Sequence, residues 1–151
     1  MITLLSVEAT RNAIFNAIIK KLDKYTEIKF NKGVEDETNN KLYSPIYLPQ
    51  GFRETSVVTY GNSIMIIYTN NEGNEILFKQ WPVETGTILI DNENTNCKEI
   101  KINGNEAYLF EAMTIDDYNI LLWQSEGVVF ELQALIKGDE LIQIGNSIKN
   151  N

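Results

Sequence analysis

The sequence contains no histidine, and that absence excludes several kinds of active site. Catalytic Ser-His-Asp and Cys-His groups need an imidazole base, and many zinc sites in proteins use imidazole as a ligand. Histidine is also the one side chain that titrates near neutral pH without a perturbed pKa. The chain is therefore predicted to belong to no histidine-dependent class of enzyme.

Cysteine is nearly absent as well, because Cys97 is the only one in 151 residues. A single cysteine forms neither an intrachain disulfide nor a multi-cysteine metal site. A reactive thiol needs a cationic neighbourhood, and Lys98 is adjacent to Cys97, but Glu93 and Glu99 are also near. The pattern favours a small, half-buried structural residue at the start of a strand.

Positive charge is scarce: 13 Lys and Arg oppose 21 Asp and Glu, which gives a net charge of −8 and a pI near 4.6. Binding to nucleic acid or to acidic lipid headgroups requires clustered Lys and Arg. The composition therefore argues against a nucleic-acid partner and against docking on an acidic membrane surface. With 43% hydrophobic residues, the chain suffices for one domain with one core.

Long apolar runs are also missing, since no stretch reaches the roughly 20 apolar residues that span a bilayer. The opening MITLLSV is apolar but ends at Glu8, and it lacks the basic start and the cleavage site of a signal peptide. We interpret it either as the first turns of a helix or as the trailing end of a membrane span that precedes it.

The first 46 residues are predicted to form a helix, a strand and a connector. In residues 6–25, Ile14, Ile18 and Leu22 recur at helical spacing. This apolar stripe predicts core packing or, because lysines flank it, a helix lying on a membrane surface. The alternating YTEIKF, residues 25–30, predicts a strand, and the polar residues 31–46 predict a connector.

From residue 47 onward, short runs rich in β-branched and aromatic residues predict a sheet. The runs are ETSVVTY, SIMIIYT, NEILFKQW, CKEIKI, EAYLFEAM, ILLWQ and VVFELQAL, with TGTILI as a further strand tail. Hairpin turns are predicted at Gly61-Asn62 and at NGN, residues 103–105. Sequential antiparallel pairing is the default for such spacing, so we expect a meander of about seven strands in which Pro82 ends a strand.

A second helix is predicted over residues 138–150, with Leu141, Ile144 and Ile148 on its buried face and Gly145 weakening it. The predicted fold class is α+β: a mainly antiparallel, curved sheet of about six to eight strands covered by an N-terminal and a C-terminal helix. We expect a single domain over residues 1–151. Its parts are an N-terminal helix and strand (1–30), a connector (31–46), and the sheet with the C-terminal helix (47–151).

Acidic residues provide candidate sites, but none has the spacing of a known chemistry. Asp116 and Asp117 lie in a predicted turn, where Asp favours local backbone bonding. The segment DNENTN, residues 91–96, is rich in oxygen but lacks the glycine of a calcium loop, and Ile102 occupies the position of its last ligand. The remaining acids in or beside strands are Glu54, Glu111 and Glu131. No spacing pairs them as acid and base, so we predict no catalytic residue, no metal site, no cofactor and no enzymatic activity.

Aromatic residues in the predicted strands provide the one candidate binding groove. They are Trp81, Tyr108, Phe110, Trp123 and Phe130. Aromatic residues in strands are more often core than binding surface, but a sheet with helices on one side leaves a cleft that favours apolar ligands. The edge strands of such a sheet also accept an extended peptide by strand addition.

The chain from residue 47 onward resembles the bacterial domain-of-unknown-function family 4367. The resemblance rests on YLPQGF, EILFKQW, KEIKINGNEAYLFE, ILLWQ with VVFEL, and ELIQIGNSIK, in that order over residues 47–151. Within YLPQGF, Pro49-Gln50-Gly51 predicts a type II turn with Gly51 at positive φ. Two positions depart from the family pattern: Lys137 stands where a Ser-type cap is usual, and Gly145 stands where a small residue such as alanine is usual.

The resemblance implies an extracytoplasmic domain of a membrane-anchored bacterial protein, some of whose relatives look like anti-sigma-factor regulators. RNAIFNAIIKKLDKYTEIKF, residues 11–30, resembles the segment that follows the membrane helix in these proteins. The family implies no catalytic residues. We expect a non-enzymatic sensing or interaction domain with a protein or peptide partner. The alternative is a small carrier that holds an apolar ligand or peptide between the sheet and the helices.

Overall fold

The computed structural model describes residues 2–4, 17–21, 25–30, 41–83, 86–91 and 95–151. These residues form thirteen strands and one helix. In chain order the strands are β1 (Ile2–Leu4), β2 (Ala17–Lys21), β3 (Tyr25–Phe30), β4 (Tyr43–Pro45), β5 (Arg53–Tyr60), β6 (Ser63–Thr69), β7 (Glu75–Pro82), β8 (Gly86–Asp91), β9 (Thr95–Ile102), β10 (Asn105–Ala112), β11 (Asn119–Ser125), β12 (Val128–Ala134) and β13 (Ile148–Asn150). The helix α1 spans Gly138–Asn146. No helix in the described part of the chain is long and apolar enough to cross a bilayer.

The main sheet has seven antiparallel strands in the order β5-β6-β7-β12-β11-β10-β9. Its tight turns lie where the sequence predicts them. Gly61 adopts a φ of +59° between β5 and β6, and Asn103 and Gly104 adopt +49° and +83° between β9 and β10. The two consecutive positive φ values at Asn103-Gly104 characterise the type I′ turn, whose twist matches that of the flanking strands. The mainly antiparallel sheet and the two hairpins are thus confirmed.

The expected sequential pairing is wrong at one point of the sheet. β7 pairs with β12, with Phe78 opposite Leu132, and β8 leaves the sheet to pair with β3. The sheet therefore consists of two meanders, β5–β7 and β9–β12, joined through β7 and β12. β12 is the most buried strand of the sheet, which suits a central strand with a partner on each side. Its helix-side face is wholly apolar, whereas its other face carries Val129 with Glu131 and Gln133.

The predicted N-terminal helix is wrong where the structure describes it. Ala17–Lys21 form strand β2, which pairs with β1 and with β3, so that Ile19 lies opposite Ile28. Ile2–Leu4 are likewise a strand rather than helical turns. The other residues of the predicted helix lie outside the described residues. A short apolar run such as Ala17-Ile18-Ile19 fits either structure, and the partners available on both sides decide for the strand.

Strand β3 confirms the prediction for YTEIKF, and β8 completes a four-stranded sheet in the order β1-β2-β3-β8. Of the predicted connector, residues 31–40 lie outside the described residues. Its last part is not a simple loop, because Tyr43–Pro45 form β4 and pair with β13.

One face of the main sheet, the helix-side face, packs against α1. Leu141 and Ile144 of the helix are fully buried in a cluster that contains Leu121, Trp123 and Leu132 of the sheet. The helix carries no side-chain cap at Lys137, whose carbonyl accepts from the backbone N–H groups of Glu140 and Leu141. The C-terminal helix is confirmed, but it ends at Asn146. Ile148 is buried as predicted, but it belongs to strand β13 and not to the helix.

The opposite face carries a second buried apolar cluster, and among the described residues a strand, β8, packs there where the sequence predicts a second covering helix. Tyr108, Phe110, Leu122 and Val129 are buried there together with Val83 and with Ile90 of β8. Along each strand the side chains alternate between the two faces. The runs AYLF and VVFEL are buried at nearly every position because both faces are covered.

Candidate interaction site

The five aromatic residues predicted to form a groove divide between the two faces of the main sheet. Trp123 and Phe130 stack at 5.2 Å on the helix-side face, where they are 2% exposed. Tyr108 and Phe110 are fully buried on the opposite face, and Trp81 packs against them, partly buried. The five residues therefore do not line one surface. Of the five, Trp81 alone borders either of the two cavities described below.

Strand β4 crosses the helix-side face and is held there by a buried amide. The backbone N–H of Tyr43 donates to Oε1 of Gln80 at 2.9 Å, and Nε2 of Gln80 donates to the carbonyl of Tyr43 at 2.9 Å. The side chain of Gln80, 3% exposed, thus forms the two hydrogen bonds with the Tyr43 backbone that a neighbouring strand would otherwise form. The Tyr43 ring then meets Phe130 edge-on at 5.0 Å. This contact positions the residues just before β4, including Lys41.

A cavity of 230 Å³ is bordered by Lys41 and by the Gly61-Asn62 turn, among other residues. Its lining residues are Lys41, Thr59, Gly61, Asn62, Ile64, Gln80, Trp81, Pro82 and Val128. Ile64, Pro82 and Val128 make part of its wall apolar, and Lys41 is the one charged lining residue. No sequence pattern indicates Lys41 as a site residue, because contacts with distant residues, among them Gln80, hold the neighbouring strand β4 in place.

The sheet ends at β5, the edge strand closest to this cavity. All eight residues of β5 are exposed, and of the described strands it pairs only with β6. Val57, Val58 and Tyr60 are exposed by 51%, 44% and 86%. A bulge interrupts the pairing between Glu54 and Ser56. Bulges and charges discourage further pairing at a sheet edge, but both lie in the first half of β5 and leave Val57–Tyr60 unprotected.

The other edge strand, β9, is protected by its side chains. Lys98, Glu99 and Lys101 are exposed along its middle and its second half. Lys98 also forms an ion pair with Glu111 of β10, which raises the pKa of the Lys98 ammonium. Charged edges of this kind resist pairing with another strand. Among the described residues, the sheet therefore has one protected edge and one edge that is open to pairing.

A second cavity, of 640 Å³, lies beside β13, and most of its lining residues carry polar or charged side chains. It is lined by Tyr43, Asn103, Asn105, Ser125, Glu126, Ile148, Lys149 and Asn150. The Tyr43 hydroxyl donates to Oε2 of Glu126 at 3.3 Å. Burial first, and the neighbouring Glu126 carboxylate second, raise the pKa of Tyr43. The tyrosine thus stays a neutral hydrogen-bond donor at ordinary pH.

The acidic candidates do not converge. Asp117 confirms its turn prediction, since its carboxylate accepts from the hydroxyl of Thr114 at 2.8 Å. Glu111 lies on the helix-side face, and Glu131 lies on the opposite face, where it contacts Lys79 at 3.6 Å. Residues 92–94 of the oxygen-rich segment DNENTN lie outside the described residues, and Thr95 and Asn96 belong to β9. No group of three or more acids, histidines or cysteines suits a metal ion within the described ranges.

Cys97 lies within β9 and is exposed, so the prediction of a half-buried position is wrong. It shares the opposite face with Phe110, its partner in the register, but sits on the edge strand, where solvent reaches it. Burial at this edge depends on a second neighbouring strand, and among the described strands β9 pairs with β10 alone. The sequence around Cys97 cannot show that absence.

Little space remains between α1 and the sheet. A β-carbon on Gly145 would lie 3.0 Å from Cδ2 of Leu121 and 3.3 Å from Cδ1 of Ile102, and one on Gly138 would lie 2.8 Å from Cδ2 of Leu109. Both glycines let the helix backbone approach the sheet more closely than a side chain allows. The described helix–sheet contact is therefore filled by protein.

The hexapeptide YLPQGF forms the turn that leads into β5. The N–H of Phe52 donates to the carbonyl of Pro49 at 3.2 Å, and Gly51 adopts the expected positive φ, +91°. Tyr47, Leu48 and Phe52 pack against the helix-side core. The predicted turn and its anchoring role are confirmed.

Comparison of the chain with curated proteins and with solved structures gave no significant match. A family model does match: it covers residues 42–148, from just before β4 to the start of β13. The match thus includes the whole main sheet, the helix and the turn at Gly51. The chain belongs to the family described as Domain of unknown function (DUF4367).

Proposed function

We propose that this chain is a non-enzymatic sensing or interaction domain that binds a protein or peptide partner through strand β5. The observation that carries the proposal is the unprotected second half of β5, with Val57, Val58 and Tyr60 exposed on an open sheet edge. Soluble domains usually block such an edge because it invites pairing with other chains. An edge left open beside a cavity supports a binding role.

The proposal extends to the setting of the domain: an extracytoplasmic part of a membrane-anchored bacterial protein with a regulatory role. Binding at β5 would shift the anchored protein between two states, which requires that the partner bind one state more tightly. Support for this setting comes from the resemblance of residues 11–30 to the segment that follows a membrane helix in related proteins.

The alternative, a carrier for an apolar ligand between sheet and helix, has less support. The contacts at Gly138 and Gly145 leave little room there, and the cavities lie beside β4 and β13 instead. We therefore base the proposal on the edge strand.

The regulatory role is tested in the native host with the full-length protein. Deletion of residues 47–151 should change the transcription of neighbouring genes under envelope stress, and unaltered transcription would refute a sensing role. Val57→Lys should reproduce part of the deletion effect. Met113→Lys, the same change at another exposed apolar residue, serves as the matched control.

The location is tested by labelling Cys97, which is exposed on β9. A membrane-impermeant maleimide should label the full-length protein in intact cells, and the signal should disappear in the Cys97→Ser variant. Labelling of Cys97 only after cell lysis would place the domain inside the cytoplasm and refute this part of the proposal.

A further inference from the structure

The open edge and the 230 Å³ cavity belong to one continuous surface. Thr59 of β5, Ile64 of β6 and Gln80 of β7 are consecutive partners in the register, so their side chains share the helix-side face. All three residues line the cavity. A strand added to β5 would therefore direct alternate side chains toward the same cavity.

The register fixes which side chains of an added strand reach the cavity. In an antiparallel strand, the residue opposite Thr59 places its side chain on the helix-side face, next to Thr59. The residue two positions earlier lies on the same face but beyond Tyr60, alongside the Gly61-Asn62 turn. The first position thus lies beside Thr59, and the second lies beside the Gly61-Asn62 turn, which lines the same cavity as Lys41.

The positive charge of Lys41 determines which side chain is favoured at the second position. Lys41 is exposed and forms no ion pair with the described carboxylates. In a chain with a net charge of −8, this cavity has a cation as its one charged lining residue. A carboxylate placed there gains a favourable partner and avoids the acidic surroundings found elsewhere on the protein.

From this geometry we infer that β5 binds an extended segment of a partner protein in which an acidic residue stands two positions before an apolar one. The segment adds to β5 as an antiparallel strand, its apolar side chain enters the cavity beside Thr59, and its carboxylate contacts Lys41. The inference rests on the proposed function, and it specifies the partner's chemistry.

A second copy of this chain fits the site less well. Two copies each carry a net charge of −8, so they repel one another. β5 itself carries the acidic Glu54 and has no acidic residue in its second half, Val57–Tyr60, that could face Lys41 of another copy. The charge complementarity therefore favours a different, acidic segment.

The experiment uses the full chain and a pair of synthetic peptides. The first, ESIMIIYT, joins a glutamate to the sequence of β6, the strand that pairs with β5 inside the protein. The second, QSIMIIYT, replaces the carboxylate by an amide of the same shape. Both carry a fluorophore at the C-terminal end, and binding is measured by fluorescence anisotropy.

We expect the glutamate peptide to bind more tightly than the glutamine peptide by about threefold, the size of an exposed ion pair. Lys41→Gln should abolish that difference while leaving the affinity for the glutamine peptide unchanged. Val57→Lys should weaken both peptides on the order of tenfold, because it places a charge on the pairing edge. Met113→Lys should bind both peptides as the unmodified chain does, and matching urea unfolding curves verify that every variant is folded.

Four outcomes would overturn the inference. Equal affinity of both peptides for the unmodified chain would show that the carboxylate is not recognised. Unchanged binding to Val57→Lys, or no binding to the unmodified chain, would show that peptides do not add to β5 as a strand. A dimer in sedimentation equilibrium that disappears in Val57→Lys would assign the edge to a second copy. If peptide binding fails while the deletion in the host still alters transcription, the sensing role survives and only the β5 site is wrong.

Discussion

Replacing Gln80 by methionine should destabilise the fold more than most single substitutions in the sheet. Gln80 is 3% exposed and satisfies both the N–H and the carbonyl of Tyr43 at 2.9 Å. Methionine fills a similar volume but offers neither a donor nor a good acceptor. Each backbone group left buried without a partner costs about 1–3 kcal/mol, so the two together predict a loss of about 2–6 kcal/mol.

The assay is urea unfolding of the Gln80→Met variant beside the unmodified chain, followed by circular dichroism. A fall in the midpoint with an unchanged dependence on urea would report lost stability rather than an altered unfolded state. A destabilisation below about 1 kcal/mol would refute the reasoning. It would mean that the Gln80 amide does not hold β4 on the sheet.

Gln80→Glu gives an independent check through pH. A protonated carboxyl has the same donor and acceptor as the amide, whereas the carboxylate faces the Tyr43 carbonyl with negative charge. The folded state therefore raises the pKa of the new glutamate above about 4.3, its value in the unfolded chain. The variant should match the unmodified chain below that pH. It should then lose stability as pH rises through the folded pKa, by up to about 1.4 kcal/mol per pH unit.

Three further changes have defined outcomes. Gly138→Ala should cost about 1–3 kcal/mol in urea unfolding, because its β-carbon would lie 2.8 Å from buried Leu109; an unchanged midpoint would show that the helix shifts freely. Gly51→Val should lower the free energy of unfolding by about 1–3 kcal/mol, since φ is +91° there, and an unaltered melting temperature would contradict this turn. Burial, assisted by Glu54, raises the pKa of Tyr68 to about 12 from 10.0. Because the pKa is raised in the folded state, the contribution of neutral Tyr68 to stability is complete below pH 10 and is lost as pH rises through about 12. Tyr68→Phe should therefore lose less stability at alkaline pH than the unmodified chain. Parallel curves of unfolding free energy against pH for the two proteins would refute the assignment.

Local features were predictable from the sequence because neighbouring residues determine them. The Asn103-Gly104 turn requires two positive φ values, and glycine with asparagine is the pair that tolerates them at least cost. Gly51 follows the same logic, and α1 shows its apolar periodicity in Leu141 and Ile144. Each of these signals lies within a few residues of the structure that it specifies.

Strand partners were less predictable because they depend on distant residues. β7 pairs with β12 across more than forty residues, and no local pattern separates that choice from pairing with β8. The run Ala17-Ile18-Ile19 meets the helical and the strand pattern equally, and its partners in β1 and β3 decide. Periodicity shows that a segment has an apolar face, not which element covers that face.

The candidate site shows the same limit. Aromatic content pointed to Trp123 and Phe130, which stack in the core, and to Tyr108 and Phe110 on the other side of the sheet. The open edge at Val57–Tyr60 has a sequence signal, four residues without charge, but it becomes meaningful only once β5 is known to be an edge. Lys41 has no such signal, since the Gln80 contact positions it from far along the chain.

The pairing of β4 with β13 bears on the order in which this domain is completed. Ser147 meets Tyr47 across 100 residues of sequence, and the N–H of Asn151 donates to the carbonyl of Leu42 at 2.8 Å. Closing a loop of that length costs about 4 kcal/mol of chain entropy, which β4 and β13 alone are too short to offset. During synthesis β4 emerges early, and of the described strands its one partner is the last to leave the ribosome. The β4–β13 pair should therefore form as a late step, after the main sheet and α1 have brought the two ends of the family domain together.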